Sequence, residues 1–309
     1  MNAGAVRRQL RQRAGELGLD LQQVIQYYAM ERFLFRLSQS AWAERFIVKG
    51  AVMLRVWDAA VARPTRDIDF LGRIENTPQA VRTAVQECLA VEVADDGLVF
   101  SRDIDVVQAM LDDRYAGLRV KLRGELAGAR FTLRLDVGID DVVVPPPGWV
   151  DYPPLLDQPA PRILAYDPAT AVAEKFESIV DLGLVNSRLK DFYDLWMLAG
   201  SLSFDGSALA DALGATFRVR GTVLPVAPPP ALTSAFFEQS TTAAMWRAYR
   251  SRLAASRIAA PVDLADVVRV IGDFIMPPVR AAADAVPFVQ SWQPRGGWRR
   301  APTTQPQEV

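Results

Sequence analysis

Histidine is absent from the 309 residues, and cysteine occurs once, at Cys88. Without imidazole the chain lacks the commonest general base and the commonest zinc ligand, which excludes Ser-His-Asp and Cys-His mechanisms. A single thiol excludes an intrachain disulfide and suits a reducing compartment. No apolar run reaches the roughly eighteen residues a membrane helix needs. The opening "MNAGAVRRQLRQRAGELG" is basic but has no apolar stretch behind it, so it does not read as a signal peptide. A cytoplasmic protein without membrane attachment is expected. Charge of either sign is not in excess: 35 basic and 36 acidic residues leave a formal net charge of -1. That balance argues against coating nucleic acid electrostatically and leaves room for a local basic groove. Any chemistry must rest on carboxylates, lysines, hydroxyls and bound metal.

What is present suits a globular chain. Half the residues are hydrophobic, enough for one large domain or two ordinary ones. From about Ala5 to Ser38 apolar residues recur at helical spacing, with Asp20 placed to cap the second helix. "FIVKGAVMLRVW" (Phe46 to Trp57) reads as a short buried strand, a turn at Gly50 and a helix, and "IDFLG" as a strand ended by Gly72. Thr77 and Pro78 open a further helix. "YAGLRVKLRGEL" and "ARFTLRLDVGI" alternate apolar and polar residues around Gly128, the pattern of a β-hairpin. Proline then dominates "VVVPPPGWVDYPPLLDQPAP", which reads as an irregular crossing, and the chain beyond Asp167 is mainly helical. The fold class expected is α+β. Residues 1–160 would form a mixed-sheet domain including the helical segment 1–40. Residues 161–288 would form a mainly helical domain and 289–309 a mobile, Pro- and Gly-rich tail.

The chemistry is suggested by "RPTRDIDFLG", Arg63 to Gly72. On a strand, Asp67 and Asp69 project from one face with Ile68 turned into the core. Two like charges so placed repel, and a hard divalent cation such as Mg²⁺ relieves both while keeping coordination positions for phosphate oxygens. A solvated strand face is the competing reading of so short a motif, and "RDID" recurs at Arg102 to Asp105. Context favours the first copy. Lys49 and Gly50 lie upstream in a strand–turn–helix where backbone N–H groups can approach a phosphate. Thr65 and Arg66 add a hydroxyl and a cation. If two metals are held, a third carboxylate is expected, and Asp136 in "LRLDVG" fits, with Asp140 and Asp141 just beyond it.

That order of elements resembles the polymerase-β-like nucleotidyltransferases. "FIVKGAVMLRVW", "RPTRDIDFLG", "LDVGIDD", "AVAEKFESIVDLG" and "NSRLKDFYDLW" together resemble the AbiEii/AbiGii family, the nucleotidyltransferase toxins of type IV toxin–antitoxin systems, over residues 25 to 200. The resemblance implies Mg²⁺-dependent (or Mn²⁺-dependent) transfer of a nucleotide from an NTP, growth inhibition, and a cognate AbiEi-like antitoxin encoded beside the toxin. For the MenT-like members it implies the 3′ end of tRNA as acceptor. It places the acidic pair on Asp67 and Asp69, the preceding hydroxyl (phosphorylated in some members) on Thr65, the helical lysine on Lys175, and the Arg-x-Lys-Asp aspartate on Asp191. One departure is Ala51, where many members have Gly or Ser after the first glycine.

Lys175 flanks an apolar helical stripe of Val172, Phe176 and Ile179, where a snorkelling lysine is the plain alternative. Given the resemblance it reads as a cation facing the triphosphate across an interdomain cleft, catalytic together with Asp67, Asp69 and Asp191. Asp191 and Asp194 share a helix face, Asp191 orienting Lys175 or a nucleotide group and Asp194 the more structural of the two. Lys49, Gly50, Thr65, Arg66 and Lys175 would bind the nucleotide. Asp67, Asp69 and Asp136 would hold two metals. An RNA track could use Arg7, Arg8, Arg11 and Arg13; Arg119, Lys121 and Arg123; or Arg295, Arg299 and Arg300. The rival readings are a metal-dependent glycosyltransferase with an Asp-x-Asp motif, and a catalytically degenerate nucleotide-binding module.

Overall fold

A computed structural model describes residues 2–57, 63–111, 115–139 and 143–300, so Asp140 and Asp141 lie outside the described residues. The chain divides into two compact units. The first holds the described residues up to 139 together with Pro147–Tyr166, and the second begins at Asp167 and takes in residues 143–146. The boundary thus falls a few residues after the expected position at 160.

In the first unit, α1 (Ala3–Leu17) and α2 (Leu21–Ser38) precede β1 (Phe46–Lys49), a 3-10 segment (Gly50–Arg55), β2 (Asp67–Gly72) and α3 (Pro78–Ala90). Then come β3 (Leu98–Leu111), β4 (Tyr115–Leu126), β5 (Ala129–Gly138), β6 (Gly148–Asp151) and β7 (Arg162–Ala165). The caps follow the side-chain chemistry. The carboxylate of Asp20 accepts from Gln22 N at 2.7 Å, and the Thr77 hydroxyl accepts from Ala80 N at 3.2 Å ahead of Pro78. The strands form one sheet in the order β3-β4-β5-β2-β1-β7-β6, with β2–β5 and β1–β7 parallel and the other pairs antiparallel.

Alternation divides this sheet into two faces. Val48, Ile68, Phe70, Leu118, Val120, Leu135 and Val137 pack with α1, α2 and α3 into one continuous core. The opposite face carries Lys49, Asp67, Asp69, Arg119, Arg134 and Asp136, because cross-strand register partners share a face. That face is buried at Ile47 and Leu71 but only partly at Asp67 and Asp69, which leaves the Asp-x-Asp pair accessible on the sheet.

One expectation is corrected here. The proline-rich crossing contains strand β6, between Pro147 and Pro153, and β7 starts directly after its last proline, Pro161; the two pair from Gly148↔Ala165 to Asp151↔Arg162. The helix expected at Gly50 is a six-residue 3-10 helix, Gly50–Arg55.

The second unit comprises α4 (Pro168–Leu182), α5 (Leu189–Ser201), β8 (Phe204–Asp205), α6 (Gly206–Arg220), α7 (Ser234–Phe237), α8 (Ser240–Ala255), α9 (Leu264–Ala283), β9 (Gln290–Gln293) and β10 (Gly297–Arg300). Asp167 caps α4, its carboxylate accepting from Ala169 N at 2.8 Å. Helix α9 continues through Pro277 and Pro278, with Ile275, Met276, Pro278 and Val279 buried. Burial of that face outweighs the missing N–H donors. The expected mobile tail is corrected over residues 290–300, where β9 and β10 join β8 in a three-stranded sheet. Its tryptophans explain the order. Trp292 Nε1 donates to Ala199 O at 2.7 Å, Trp298 Nε1 donates to Phe274 O at 2.9 Å, and Trp298 stacks on Phe274 at 6.1 Å.

Candidate active site

The polar sheet face is organised around Asp69. Its cross-strand neighbours are Lys49 on β1 and Asp136 on β5, while Asp67, two residues back, lies opposite Arg134. Asp67 and Asp69 are half-buried and Ile68 is fully buried, as the alternation requires. Arg134 Nη1 stands 3.5 Å from Asp67 Oδ2, a loose pair between partly exposed groups. The Thr65 hydroxyl serves the backbone of this strand, donating to Asp67 O at 3.2 Å and accepting from Asp67 N at 3.4 Å. Arg66 is exposed, and its carbonyl accepts from Gln26 Nε2 at 3.3 Å.

Gly50 has φ +74 and lies directly against Asp69. A Cβ at Gly50 would overlap the carboxylate, within 2.7 Å of Asp69 Cγ. Glycine is therefore required twice over, by backbone conformation and by space. Positive φ among the described non-glycine residues occurs at Ala127, Arg257, Ala285 and Arg295, so Ala51 is spared it. The departure from the glycine-rich pattern at Ala51 thus costs the turn no strain. Lys49 Nζ sits 5.2 Å from the Tyr166 ring centroid.

Asp136 is in register beside Asp69, yet both its oxygens accept from one guanidinium. Arg119 Nε donates to Oδ1 and Nη2 to Oδ2, each at 2.8 Å. No group of three or more acidic, cysteine or histidine side chains gathers as a metal cage among the described residues. The donor set that fits a hard cation is the Asp67–Asp69 pair, two carboxylates on one strand face; Asp136 as placed does not complete it. Sequence reading missed this pairing, although the alternation of Arg119, Lys121 and Arg123 along β4 placed those cations on the same face as Asp136. Arg123 is likewise engaged, at 2.7 Å from Asp105 in the second "RDID" copy, whose Asp103 side chain is 80% exposed.

In the second unit, Lys175 on α4 meets both α5 carboxylates, Asp194 Oδ2 at 2.7 Å and Asp191 Oδ1 at 3.2 Å. Arg188 Nε donates to Asp191 Oδ2 at 2.7 Å. Asp191 and Asp194 are almost fully buried and Lys175 is 13% exposed. This is a compact network of two cations and two anions, not a lysine snorkelling to solvent. Arg188, the arginine of the Arg-x-Lys-Asp motif, lies beside Asp191 in the sequence but carried no role there; in the fold it is the N-cap residue of α5, three residues before Asp191. A cavity of about 550 Å³ elsewhere in this unit, walled by Trp196, Trp292 and Trp298, contains none of these groups.

Residues 32–283 match the family described as nucleotidyl transferase AbiEii toxin, type IV TA system. The chain belongs to the AbiEii family of nucleotidyltransferase toxins. Two solved structures share its fold. MenT4, a nucleotidyltransferase toxin of Mycobacterium tuberculosis H37Rv, is 19% identical with a TM-score of 0.51, the likeness covering 93% of this chain and all of MenT4. JHP933 from Helicobacter pylori is 13% identical with a TM-score of 0.50, over 86% of this chain and 95% of that one. No curated protein matches in sequence. Family membership sets aside the glycosyltransferase reading. No helix among the described residues is long and apolar enough to cross a membrane.

Proposed function

We propose that this AbiEii toxin transfers a nucleotide from an NTP to the 3′ end of tRNA in the cytoplasm, which blocks translation and growth until a cognate antitoxin neutralises it. The observation that carries the reading is the Asp67–Asp69 pair on the polar sheet face, with Gly50 packed against Asp69. In the reaction a terminal ribose hydroxyl attacks the α-phosphorus. The new P–O bond forms as the bond to the β-phosphate bridge breaks, and pyrophosphate leaves.

Asp67 and Asp69 would hold Mg²⁺, which would supply Lewis-acid stabilisation of phosphate charge and lower the pKa of the attacking hydroxyl. The chain's own part is placement. Gly50 lets the Asp69 carboxylate lie close to the backbone, Lys49 and Arg66 attract the triphosphate, and Thr65 fixes the start of the strand. Lys175 supplies a cation to the phosphates, oriented by Asp191 and Asp194. Exposed arginines Arg8, Arg11, Arg295, Arg299 and Arg300 are available to RNA phosphates. The four acid and lysine positions are all retained, which speaks against a degenerate binding module.

The test is to incubate protein, Mg²⁺ and each labelled NTP in turn with total RNA. Label should appear in the tRNA band, depend on Mg²⁺, and vanish with Asp67→Asn. Label in another RNA would remove the tRNA acceptor, and full transfer by a folded Asp67→Asn protein would remove the mechanism.

A further inference from the structure

The cavity of the second unit has no part in the transfer chemistry. It holds about 550 Å³, inside the roughly 300–1,000 Å³ span of small-ligand sites. Three indoles line it: Trp196 on α5, Trp292 on β9 and Trp298 on β10. Two of them are fixed in place. The Trp292 and Trp298 N–H groups donate to the carbonyls of Ala199 and Phe274, and the two rings meet edge to face at 5.5 Å. Trp196 and Trp298 stay partly exposed. Aromatic walls already held rigid give a planar ligand a stacking surface with little loss of side-chain freedom. The lining also carries one charge of each sign, Asp273 of α9 and Arg295 of the β9–β10 turn. Both are exposed, and neither forms an ion pair or a side-chain hydrogen bond with a described residue. Arg295 has φ +60, a conformation costly for an L-residue that a glycine would adopt freely.

A carboxylate only accepts hydrogen bonds and a guanidinium only donates them. Among the RNA bases, guanine alone offers two adjacent donors, N1–H and the N2 amino group, to the two oxygens of one carboxylate. Adenine and cytosine set an acceptor beside their amino group, and uracil flanks its N–H with carbonyls. We propose that this cavity is a guanine-nucleotide site, built from none of the residues assigned to transfer. The base stacks on the tryptophan wall, Asp273 accepts from its Watson–Crick edge, and Arg295 pairs with the phosphate. The same chemistry suits free GMP and an unpaired guanosine in RNA. Nothing in this site depends on Asp67 and Asp69 carrying out transfer.

Equilibrium dialysis of the full chain against labelled GMP, with EDTA present to idle any metal-dependent nucleotide site, measures this directly. GMP should bind about tenfold or more tightly than AMP, CMP or UMP, the discrimination a good two-bond base contact provides. Binding should quench part of the tryptophan fluorescence and persist in Asp67→Asn. Asp273→Asn keeps the shape but sets an amide N–H against the base donors, and should erase the preference for guanine. Arg295→Gly removes the cation and relieves the backbone, so it should weaken GMP binding, spare guanosine binding and not lower the melting temperature. A short unstructured RNA with a single guanosine, compared with GMP, separates the two sources: tighter binding of the RNA assigns the site to RNA, and weaker or equal binding assigns it to the free nucleotide. No GMP binding, equal affinity for all four monophosphates, or a guanine preference that survives Asp273→Asn would overturn the proposal. GMP binding lost in Asp67→Asn would also overturn it and leave the transfer reading standing, whereas absent transfer with GMP binding intact would defeat that reading alone.

Discussion

Gly50 shows how one residue can be indispensable without donating an atom to chemistry. Its φ of +74 and its contact with the Asp69 carboxylate are separate demands, and alanine violates both. The left-handed conformation alone costs an L-residue about 1–2 kcal/mol, and the overlap adds overpacking strain. Gly50→Ala should therefore lower the denaturation midpoint and weaken Mn²⁺ binding together, as thermal melts and metal titration would show; unchanged Mn²⁺ affinity would mean that Asp69 does not depend on this turn. Cys88 is the opposite case. Burial pushes its thiol up to about 11, with a hydrogen-bonding contact to Ser40 Oγ at 3.4 Å the chief opposing influence. Thiol labelling at pH 8 should be slow in the folded protein and fast in denaturant. Rapid labelling under native conditions would contradict the packing of α3.

At the scale of elements, the junction of α4 and α5 carries a cost that the sequence did not disclose. Lys175 reads in sequence as a removable cation, but in the fold it is the partner of buried Asp194 and Asp191. Removing one member of a buried ion pair typically costs about 3–5 kcal/mol, because the other charge is left uncompensated. Lys175→Ala is thus expected to lose transfer and a large part of stability together. Lys175→Met combined with Asp194→Leu should recover much of the melting temperature while transfer stays absent. Recovery of transfer in that folded double variant would show the lysine to be structural only. The hairpin of β9 and β10 makes a related point. Its composition resembles a tail, and it is ordered by Trp292 and Trp298, whose indole N–H groups find carbonyls on α5 and α9.

For the molecule as a whole, the first unit contains a pH-dependent weakness. Glu31 is completely buried on α2, and its Oε2 accepts from Leu155 N at 2.7 Å. Desolvation pushes its carboxyl up to about 7, only partly offset by the Leu155 hydrogen bond and by Arg32. A folded pKa above the unfolded value means that the native state holds a proton the unfolded chain releases. This contribution is fully present below the unfolded pKa of about 4.5 and is lost as pH rises through about 7. The loss is on the order of 3 kcal/mol, from about 1.4 kcal/mol per tenfold change in affinity. Glu31→Gln keeps an acceptor for Leu155 N and should be the more stable protein in denaturant melts at pH 8, with the difference shrinking towards pH 5. A constant difference across that range would assign the effect to packing instead.

Local chemistry determined much of this. The Asp20 and Thr77 caps, the alternation in β4 and β5, the glycine turn and the outward-facing Asp67 and Asp69 are all legible in short stretches. Side-chain period and capping depend on neighbours within a few residues. The family could be read from several such motifs in order. What only the tertiary structure decided is which charges meet. Arg119 reaches Asp136 through strand register, and Lys175 reaches Asp194 through helix packing. Strands β6 and β7 exist because the sheet offers them partners across a proline-rich stretch. Those pairings are separated by many residues in the chain, and only the closed fold brings their donors and acceptors within hydrogen-bonding range.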